Sequence, residues 1–185
     1  MAIETNIGHA KQALDFINAN QNGLYFVLGK PQDWADSNNP DPEDEATTGI
    51  TNPQALVQVD RLVLCYETNE QLTDSAADGD DYIVYKGKKW QTISPDAVFN
   101  NSNQLTQNAC YVCLIGELEV ESIAPFSFTQ IGVTQNAEIA TNAPDTHQVA
   151  KENVINWGQL YFYENRMKEN YTTSQAKIFK YLLKF

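Results

Sequence analysis

The segment that most restricts the fold is a long proline-bearing stretch, "GKPQDWADSNNPDPEDEATTGITNP", residues Gly29–Pro53. It holds four of the seven prolines of the chain, set among Asn, Asp and Glu residues. Because proline lacks a backbone N–H and has a fixed φ, this stretch cannot form a helix or a central strand. Loops of this length are uncommon inside compact domains and are usually functional or disordered. Trp34 and Ile50 offer apolar anchors, which favours a functional loop over a plain linker.

One segment has the periodicity of a helix. Apolar residues recur there at spacings of three and four, from Ile7 to Ile17, with Thr5 or Asn6 as the candidate cap and Gly23 shortly after the last turn. The sequence therefore predicts an N-terminal helix near Ile7–Ile17.

The rest of the chain consists of apolar and aromatic runs separated by polar loops, which is typical of strands. The final run, Gln175–Phe185, fits both a helical stripe and an alternating strand, and its aromatic content favours the strand. Lys86-Gly87 is the expected turn of a hairpin. The predicted strands are Leu24–Leu28, Leu56–Glu67, a hairpin within Asp81–Ile93, Ala109–Val120, Pro125–Val133, Trp157–Arg166 and Gln175–Phe185.

These patterns predict a mainly β (α+β) fold, an antiparallel β-sandwich-like domain with one N-terminal helix and a long loop rich in Pro, Asp and Asn. The length of 185 residues supports a single structural domain, residues 1–185. Within it, residues 29–53 form the long excursion and residues 157–185 supply the closing strands.

Charge is distributed unevenly along the chain. Residues 1–150 carry 6 Lys and Arg against 21 Asp and Glu, whereas residues 151–185 carry 6 against 3. An acidic body repels nucleic acid, whose binding needs clustered cations. No apolar run is long enough to span a membrane, and no signal peptide precedes the helix. We therefore expect a cytosolic product that binds neither nucleic acid nor membrane, with acidic and basic segments that meet complementary neighbours in an assembly.

The candidate chemical motifs are weak. Cys110 and Cys113 form a lone CxxC without a second ligand pair, and their place in a predicted strand makes them core thiols rather than a redox or zinc site. The acidic stretch Asp74–Asp81 lacks the ligand pattern of a calcium loop. No nucleophile motif or phosphate-binding loop is present. We expect no catalytic residue, no cofactor and no metal, and hence no enzyme.

Two segments carry a family resemblance. The first, "LYFVLGKPQDWADSNNPDPEDE" (Leu24–Glu45), joins an apolar strand to Gly-Lys, a Trp, Asn-Asn-Pro and a second Pro among acids. The second, Trp157–Phe185, leads "GQL" through an aromatic strand into "ENR" and ends in an aromatic strand. Both resemble the baseplate wedge subunits of contractile-tailed (myovirus-type) bacteriophages. The resemblance implies a β-rich structural virion protein of the tail baseplate, made and assembled in the host cytoplasm.

The resemblance implies partners among the other baseplate and tail proteins around the hub, with copies of the chain itself as a further candidate. We expect the loop Gly29–Pro53 to contact a partner rather than to pack internally, with Trp34 as its apolar anchor. The partner-contact candidates are Trp34, Asn38, Asn39, Pro40, Pro42, Glu43, Asp44, Arg166 and Lys168. Two alternatives remain open: a neck or tail-completion protein, and a carbohydrate-binding module for host attachment that stacks sugars on Trp34, Trp90 and tyrosines.

Overall fold

The computed structural model describes residues 3–73 and 76–185, and in that part strands far outweigh helix. The prediction of a mainly β fold with antiparallel sheets and one N-terminal α-helix is confirmed. The chain divides into two compact units: unit 1 comprises Met1–Gln21, Arg61–Ile115 and Lys180–Phe185, and unit 2 comprises Asn22–Asp60 and Gly116–Phe179. None of the described helices has the length and apolar character needed to cross a bilayer.

Helix α1 spans Asn6–Ala19, and Thr5 is its N-cap, because the Thr5 hydroxyl accepts a hydrogen bond from the N–H of Gly8 at 3.2 Å. After Gly23, which has a positive φ of 98°, the chain enters the first strand. The strands, in chain order, are β1 (Leu24–Gly29), β2 (Ala55–Gln58), β3 (Arg61–Gln71), β4 (Tyr82–Tyr85), β5 (Lys88–Thr92), β6 (Tyr111–Leu118), β7 (Phe126–Gln135), β8 (Glu138–Ile139), β9 (Gln148–Ala150), β10 (Val154–Asn156), β11 (Gln159–Tyr171) and β12 (Lys177–Lys184).

Unit 2 is built on a five-stranded sheet in the order β11-β7-β1-β2-β9, in which each neighbouring pair is antiparallel. A second, two-stranded sheet joins β8 to β10. The apolar core includes Phe26, Phe128 and Phe179, and the Phe179 ring lies at a centroid distance of 5.9 Å from each of the other two rings. The order of strands leaves β11 and β9 at the two edges of the larger sheet.

Strand β7 contains a buried polar residue. Thr129 follows Phe128 and is fully buried. Its hydroxyl donates hydrogen bonds to the carbonyl oxygens of Lys30 at 2.7 Å and Gln32 at 3.3 Å. The start of the long loop therefore covers this face of β7 and supplies the acceptors that the buried hydroxyl needs.

Unit 1 contains β3, β4 and β5 with parts of β6 and β12, in the sheet order β12-β6-β3-β5-β4. The predicted hairpin is confirmed: Lys86 and Gly87, with φ values of 47° and 72°, form the two-residue turn between β4 and β5. Both positive φ values are those of a type I′ turn, whose twist matches that of the strands. The core around Trp90 includes Cys65, Cys113, Ile83 and Ile115.

Side chains complete the outer edge of β4. The N–H of Val84 donates to the Asp78 carboxylate at 2.8 Å, and the Lys180 ammonium donates to the Val84 carbonyl at 3.1 Å. Asp78 and Lys180 also form an ion pair at 2.6 Å, in which both side chains are largely buried. A lysine from β12 thus reaches the opposite edge strand of the same sheet.

The predicted single strand Leu56–Glu67 is wrong. The chain turns at Val59–Asp60, so that Ala55–Gln58 pairs with β1 and Arg61–Gln71 pairs with β6 and β5 in the other sheet. The N–H of Val59 donates to the carbonyl oxygen of Leu24 at 2.9 Å, which holds the corner against β1. Apolar residues lie on both sides of the turn, and the sequence marks it only by the charged pair Asp60-Arg61, without Gly or Pro.

We expect the chain to unfold in one cooperative step, as the prediction of a single structural domain requires. The chain passes four times from one unit to the other, so neither unit is a continuous segment that can unfold alone. Scanning calorimetry should give a calorimetric enthalpy of unfolding equal to the van't Hoff enthalpy. Two resolved transitions, or a van't Hoff enthalpy well below the calorimetric value, would show that the units unfold independently.

Candidate functional site

The long loop is anchored at its base by the sheet of unit 2. Strands β1 and β2 pair antiparallel with Leu28 opposite Ala55, so residues 30–54 connect two neighbouring strands. The N–H of Lys30 donates to the Thr51 carbonyl at 2.6 Å, and the N–H of Gln54 donates to the Leu28 carbonyl at 2.7 Å. Both ends of the loop are therefore fixed to the sheet, and the loop departs from a rigid base.

Trp34 holds the first part of the loop inside unit 2. Its side chain is only 6% exposed, and its indole N–H donates to the carbonyl oxygen of Arg166 on β11 at 2.6 Å. The Lys30 ammonium lies 3.2 Å from the centroid of the ring, in cation–π contact. The expectation that the loop does not pack internally therefore needs correction, because Trp34 joins the loop to β11. Contact of the loop with a partner stays a prediction.

Two residues of β11, Tyr163 and Asn165, receive the middle of the loop. The backbone N–H of Asn165 donates to the Glu43 carboxylate at 3.0 Å, and its side-chain amide donates to the Asp41 carbonyl at 2.8 Å. The Tyr163 hydroxyl donates to the Asp44 carbonyl at 3.0 Å and accepts a hydrogen bond from the Asp44 N–H. The loop thus takes the place that a further strand would occupy beside β11.

The two cationic candidates on β11 form ion pairs within unit 2. Arg166 contacts the carboxylates of Glu164 at 3.1 Å and Glu169 at 3.5 Å. Lys168 pairs with Asp33 of the loop at 3.2 Å. Of the sequence-predicted residues, Trp34, Pro42, Glu43, Asp44, Arg166 and Lys168 therefore lie together along β11.

The other predicted residues are Asn38, Asn39 and Pro40. They lie with Pro42, Glu43 and Asp44 in residues 36–46, which we call the loop crest. Asn38 and Asn39 form a turn in which their N–H groups donate to Asp36, at 3.0 Å to its carboxylate and 3.1 Å to its carbonyl. Both asparagines are exposed, and Pro40 is half-buried. The structure does not bring Asn38 and Asn39 to β11, so they project from the anchored loop.

Sequence reasoning missed Tyr163 and Asn165, although Asn165 lies in the quoted "ENR" motif. It also missed a cleft of about 280 Å³ on unit 2, which we call the Trp157 cleft. The signal that could have indicated it was the second apolar anchor of the loop, Ile50, together with Trp157 and Leu160 at the start of the closing segment. The cleft is lined by Val27, Thr48, Gly49, Ile50, Pro53, Thr134, Trp157, Gly158 and Leu160.

The cysteines lie in the interior, as the sequence predicts. Cys65, Cys110 and Cys113 are buried free thiols. Burial raises the pKa of Cys113 to about 12 and raises the pKa of Cys65 further, so neither forms a thiolate near neutral pH. Within the described residues, no three His, Cys, Asp or Glu side chains converge as metal ligands. Asp74 of the acidic stretch lies outside the described residues, and Asp78 is used at the edge of β4.

The comparisons with known proteins extend the resemblance of two segments to the whole chain. A family model described as "Baseplate wedge 3 tail fiber network component" matches residues 1–185. The chain is also similar to Virion protein 3 of Enterococcus phage phiEF24C, with 25% identity over 174 residues. That alignment covers 94% of this chain and 89% of the phage protein.

Replacement of Trp34 tests the anchoring of the loop. We expect Trp34→Ala to lower the free energy of unfolding by about 3–5 kcal/mol, because it removes a buried indole. Trp34→Phe should cost less, since it keeps an aromatic ring in the site but loses the hydrogen bond to Arg166, worth about 1 kcal/mol. Met167→Ala is the matched control: Met167 follows Arg166 on β11 and is 59% exposed, so its loss should cost about 0.5 kcal/mol or less. Equal denaturation midpoints for Trp34→Ala and the wild type would contradict this anchoring.

The thiols provide a second test. In the native protein we expect all three to react slowly with an aromatic disulfide reagent at pH 8, and to react at once after unfolding in denaturant. The raised pKa values also imply that stability is full below about pH 8.5 and falls as the pH rises further, because the thiols then ionise in the unfolded chain alone. Stoichiometric zinc, or a Cys110–Cys113 bridge detected by mass spectrometry without added oxidant, would contradict the assignment of core thiols.

Proposed function

Starting from the fact that this chain belongs to the family of baseplate wedge 3 tail fiber network components, we propose that it is a wedge subunit of a contractile phage tail that contacts its neighbours through the loop crest. Family membership makes it a structural protein of a phage virion, with other baseplate or tail proteins as partners. We also propose that the tail is contractile, that the chain lies in a wedge around the hub, and that it is assembled in the host cytoplasm.

The observation that supports this proposal is the combination of an exposed crest with an anchored loop. Residues 36–39 and 41–46 are exposed, while hydrogen bonds fix both ends of the loop at its base and join Trp34, Glu43 and Asp44 to β11. Association requires surface segments to become ordered, and each mobile side chain or loop that must be fixed weakens binding. A crest that is already held in place loses little entropy on docking. It suits a permanent contact in a virion.

The charge of the crest indicates the kind of neighbour. It carries five acids, Asp36, Asp41, Glu43, Asp44 and Glu45, and no Lys or Arg. Arg166 and Lys168, the cations nearest to it on β11, are engaged with carboxylates of their own unit. A partner surface rich in Lys or Arg would therefore meet the crest with favourable electrostatics.

The carbohydrate-binding alternative is weakened by the burial of two tryptophans. Trp34 and Trp90 are each 6% exposed, so neither ring offers a face on which a sugar can stack. The neck or tail-completion alternative lacks support from the family, whose description refers to the baseplate and the tail fiber network. Binding of the purified protein to host cell walls would favour host attachment.

The proposal can be tested with the charge-reversal variant Glu45→Lys in the phage. Glu45 is exposed, so the free energy of unfolding should change by about 0.5 kcal/mol or less. We expect the variant to reach purified virions several-fold less often than the wild type, because the crest would repel its basic neighbour. The measurement is quantitative mass spectrometry of virions from cells that express both alleles.

The matched control is Glu117→Lys, which reverses an exposed acid of unit 2 outside the loop and should be incorporated normally. Equal incorporation of Glu45→Lys and Glu117→Lys would contradict a contact through the crest. Absence of the wild-type chain from purified tails would contradict a virion role altogether.

A further inference from the structure

The Trp157 cleft is an apolar depression on unit 2 that the proposed function leaves unused. We propose that it receives one large apolar side chain, flanked by Lys or Arg, from an extended segment of a partner protein. This inference rests on the proposed role as an assembly subunit and adds to it a second, separate contact with a defined partner chemistry.

The cleft has the size for one side chain. Its volume of about 280 Å³ lies just below the range of about 300–1,000 Å³ found for pockets that hold drug-sized ligands. Its floor is apolar: Val27 is 3% exposed, and Ile50 and Leu160 pack over Gly132. A Cβ at Gly132 would lie 2.6 Å from the Leu160 side chain and 3.1 Å from that of Ile50. Because Gly132 has no side chain, Ile50 and Leu160 can pack directly over its backbone.

The wall formed by Trp157 is held in place by hydrogen bonds. The buried Thr134 hydroxyl donates to the carbonyl oxygens of Trp157 at 2.7 Å and Gln159 at 3.0 Å. The N–H of Gly158 donates to the Asn156 side chain at 3.0 Å. Gly158 has a φ of 75° and lies against the Gln135 carbonyl, an approach that a side chain would prevent. The half-buried Trp157 therefore stands on a fixed backbone, and the cleft exists before any partner arrives.

The charge around the cleft determines what should flank the inserted side chain. Unit 2 contains 5 Lys and Arg against 15 Asp and Glu, a net charge of −10, whereas unit 1 has 7 against 9. Close to the cleft, the exposed acid Glu138 is paired with Asn156, the residue before Trp157. A cationic residue that flanks the inserted side chain would therefore meet favourable electrostatics on this acidic unit.

The lining favours a protein segment over a sugar. A sugar site needs several convergent polar groups that fix the orientation of hydroxyls. Here the Thr134 hydroxyl is already committed to two carbonyl oxygens, and most of the other lining side chains are aliphatic. One apolar side chain would gain from burial against Val27, Ile50, Trp157 and Leu160, while its flanking backbone stays outside.

The first test is a titration of the full chain, followed by the NMR signal of the Trp157 indole N–H and assigned with Trp157→Phe. The probes are the peptides Lys-Lys-Phe-Lys-Lys, Lys-Lys-Ser-Lys-Lys and Glu-Glu-Phe-Glu-Glu. We expect the first to shift the signal in a saturable way, with an affinity about tenfold or more above that of the other two. Equal effects of the three peptides, or no shift with the first, would overturn the proposal. A saturable shift with N-acetylglucosamine oligomers alone would overturn it in favour of a glycan site.

The second test fills the cleft. A Cβ at Gly49 would have no atom within 4 Å, so Gly49→Phe can place a ring at the cleft without a clash, and Gly49→Ala is its matched control. We expect Gly49→Phe, and Glu138→Lys independently, to lower peptide affinity and incorporation into virions about tenfold, with Gly49→Ala unchanged. If Gly49→Phe fails to fold, Thr48→Trp at the exposed rim replaces it.

The outcomes separate this inference from the proposed function. Normal incorporation of a folded Gly49→Phe or Thr48→Trp variant would overturn the cleft contact and leave the crest contact intact. If Glu45→Lys lowered incorporation and the cleft variants did not, the cleft contact would likewise be overturned and the crest contact would stand. Absence of the wild-type chain from virions would instead remove the premise that the two contacts share.

Discussion

The outer edge of β11 is the constraint on which the arrangement of unit 2 depends. An edge strand presents unpaired N–H and C=O groups that can template pairing with another chain. At 13 residues β11 is the longest of the strands in the described residues, and its pairing with β7 shifts register between Leu160 and Phe162 and between Asn165 and Glu169. The loop from β1 supplies a carboxylate to the N–H of Asn165 and an indole donor to the carbonyl of Arg166. The proline-bearing stretch therefore closes a sheet edge as well as displaying a surface.

The free energies of the individual contacts show which of them hold the loop on unit 2. Closing a loop twice as long costs only about 0.6 kcal/mol more, so its length is not a large penalty. Each hydrogen bond to β11 contributes about 1 kcal/mol net, and the exposed pair of Lys168 with Asp33 contributes less. Burial of Trp34 is the largest single term, at about 3–5 kcal/mol. In unit 1, polar side chains cover the edge strand β4. Asp78 accepts a hydrogen bond from the N–H of Val84, and Lys180 donates one to its carbonyl oxygen.

The sequence predicted the features of the fold that depend on local residue patterns. The start of the helix at Thr5 or Asn6, the hairpin turn at Lys86-Gly87 and the strand character of Lys177–Lys184 each depend on a few neighbouring residues. The corner at Val59–Asp60 was missed, because neither Gly nor Pro marks it and the charged pair Asp60-Arg61 also fits the exposed positions of a single strand. Trp34 was recognised as an anchor, but its acceptor lies 132 residues away, and no local signal indicates whether the indole faces a partner or its own chain. The cleft depends likewise on tertiary proximity, since Ile50 and Leu160 meet only across Gly132.

The order of strands in the two sheets has a consequence for synthesis. Strands β11 and β12 come last in the sequence, and each lies outside an inner strand, β7 and β6 respectively, that is made earlier. A chain released before residue 159 would leave one side of β7 without its neighbour, and one side of the largely apolar β6 as well. Such a product would carry two apolar edges open to aggregation or degradation. Only chains that contain both closing strands have β7 and β6 paired on both sides, so the topology itself discriminates against truncated copies.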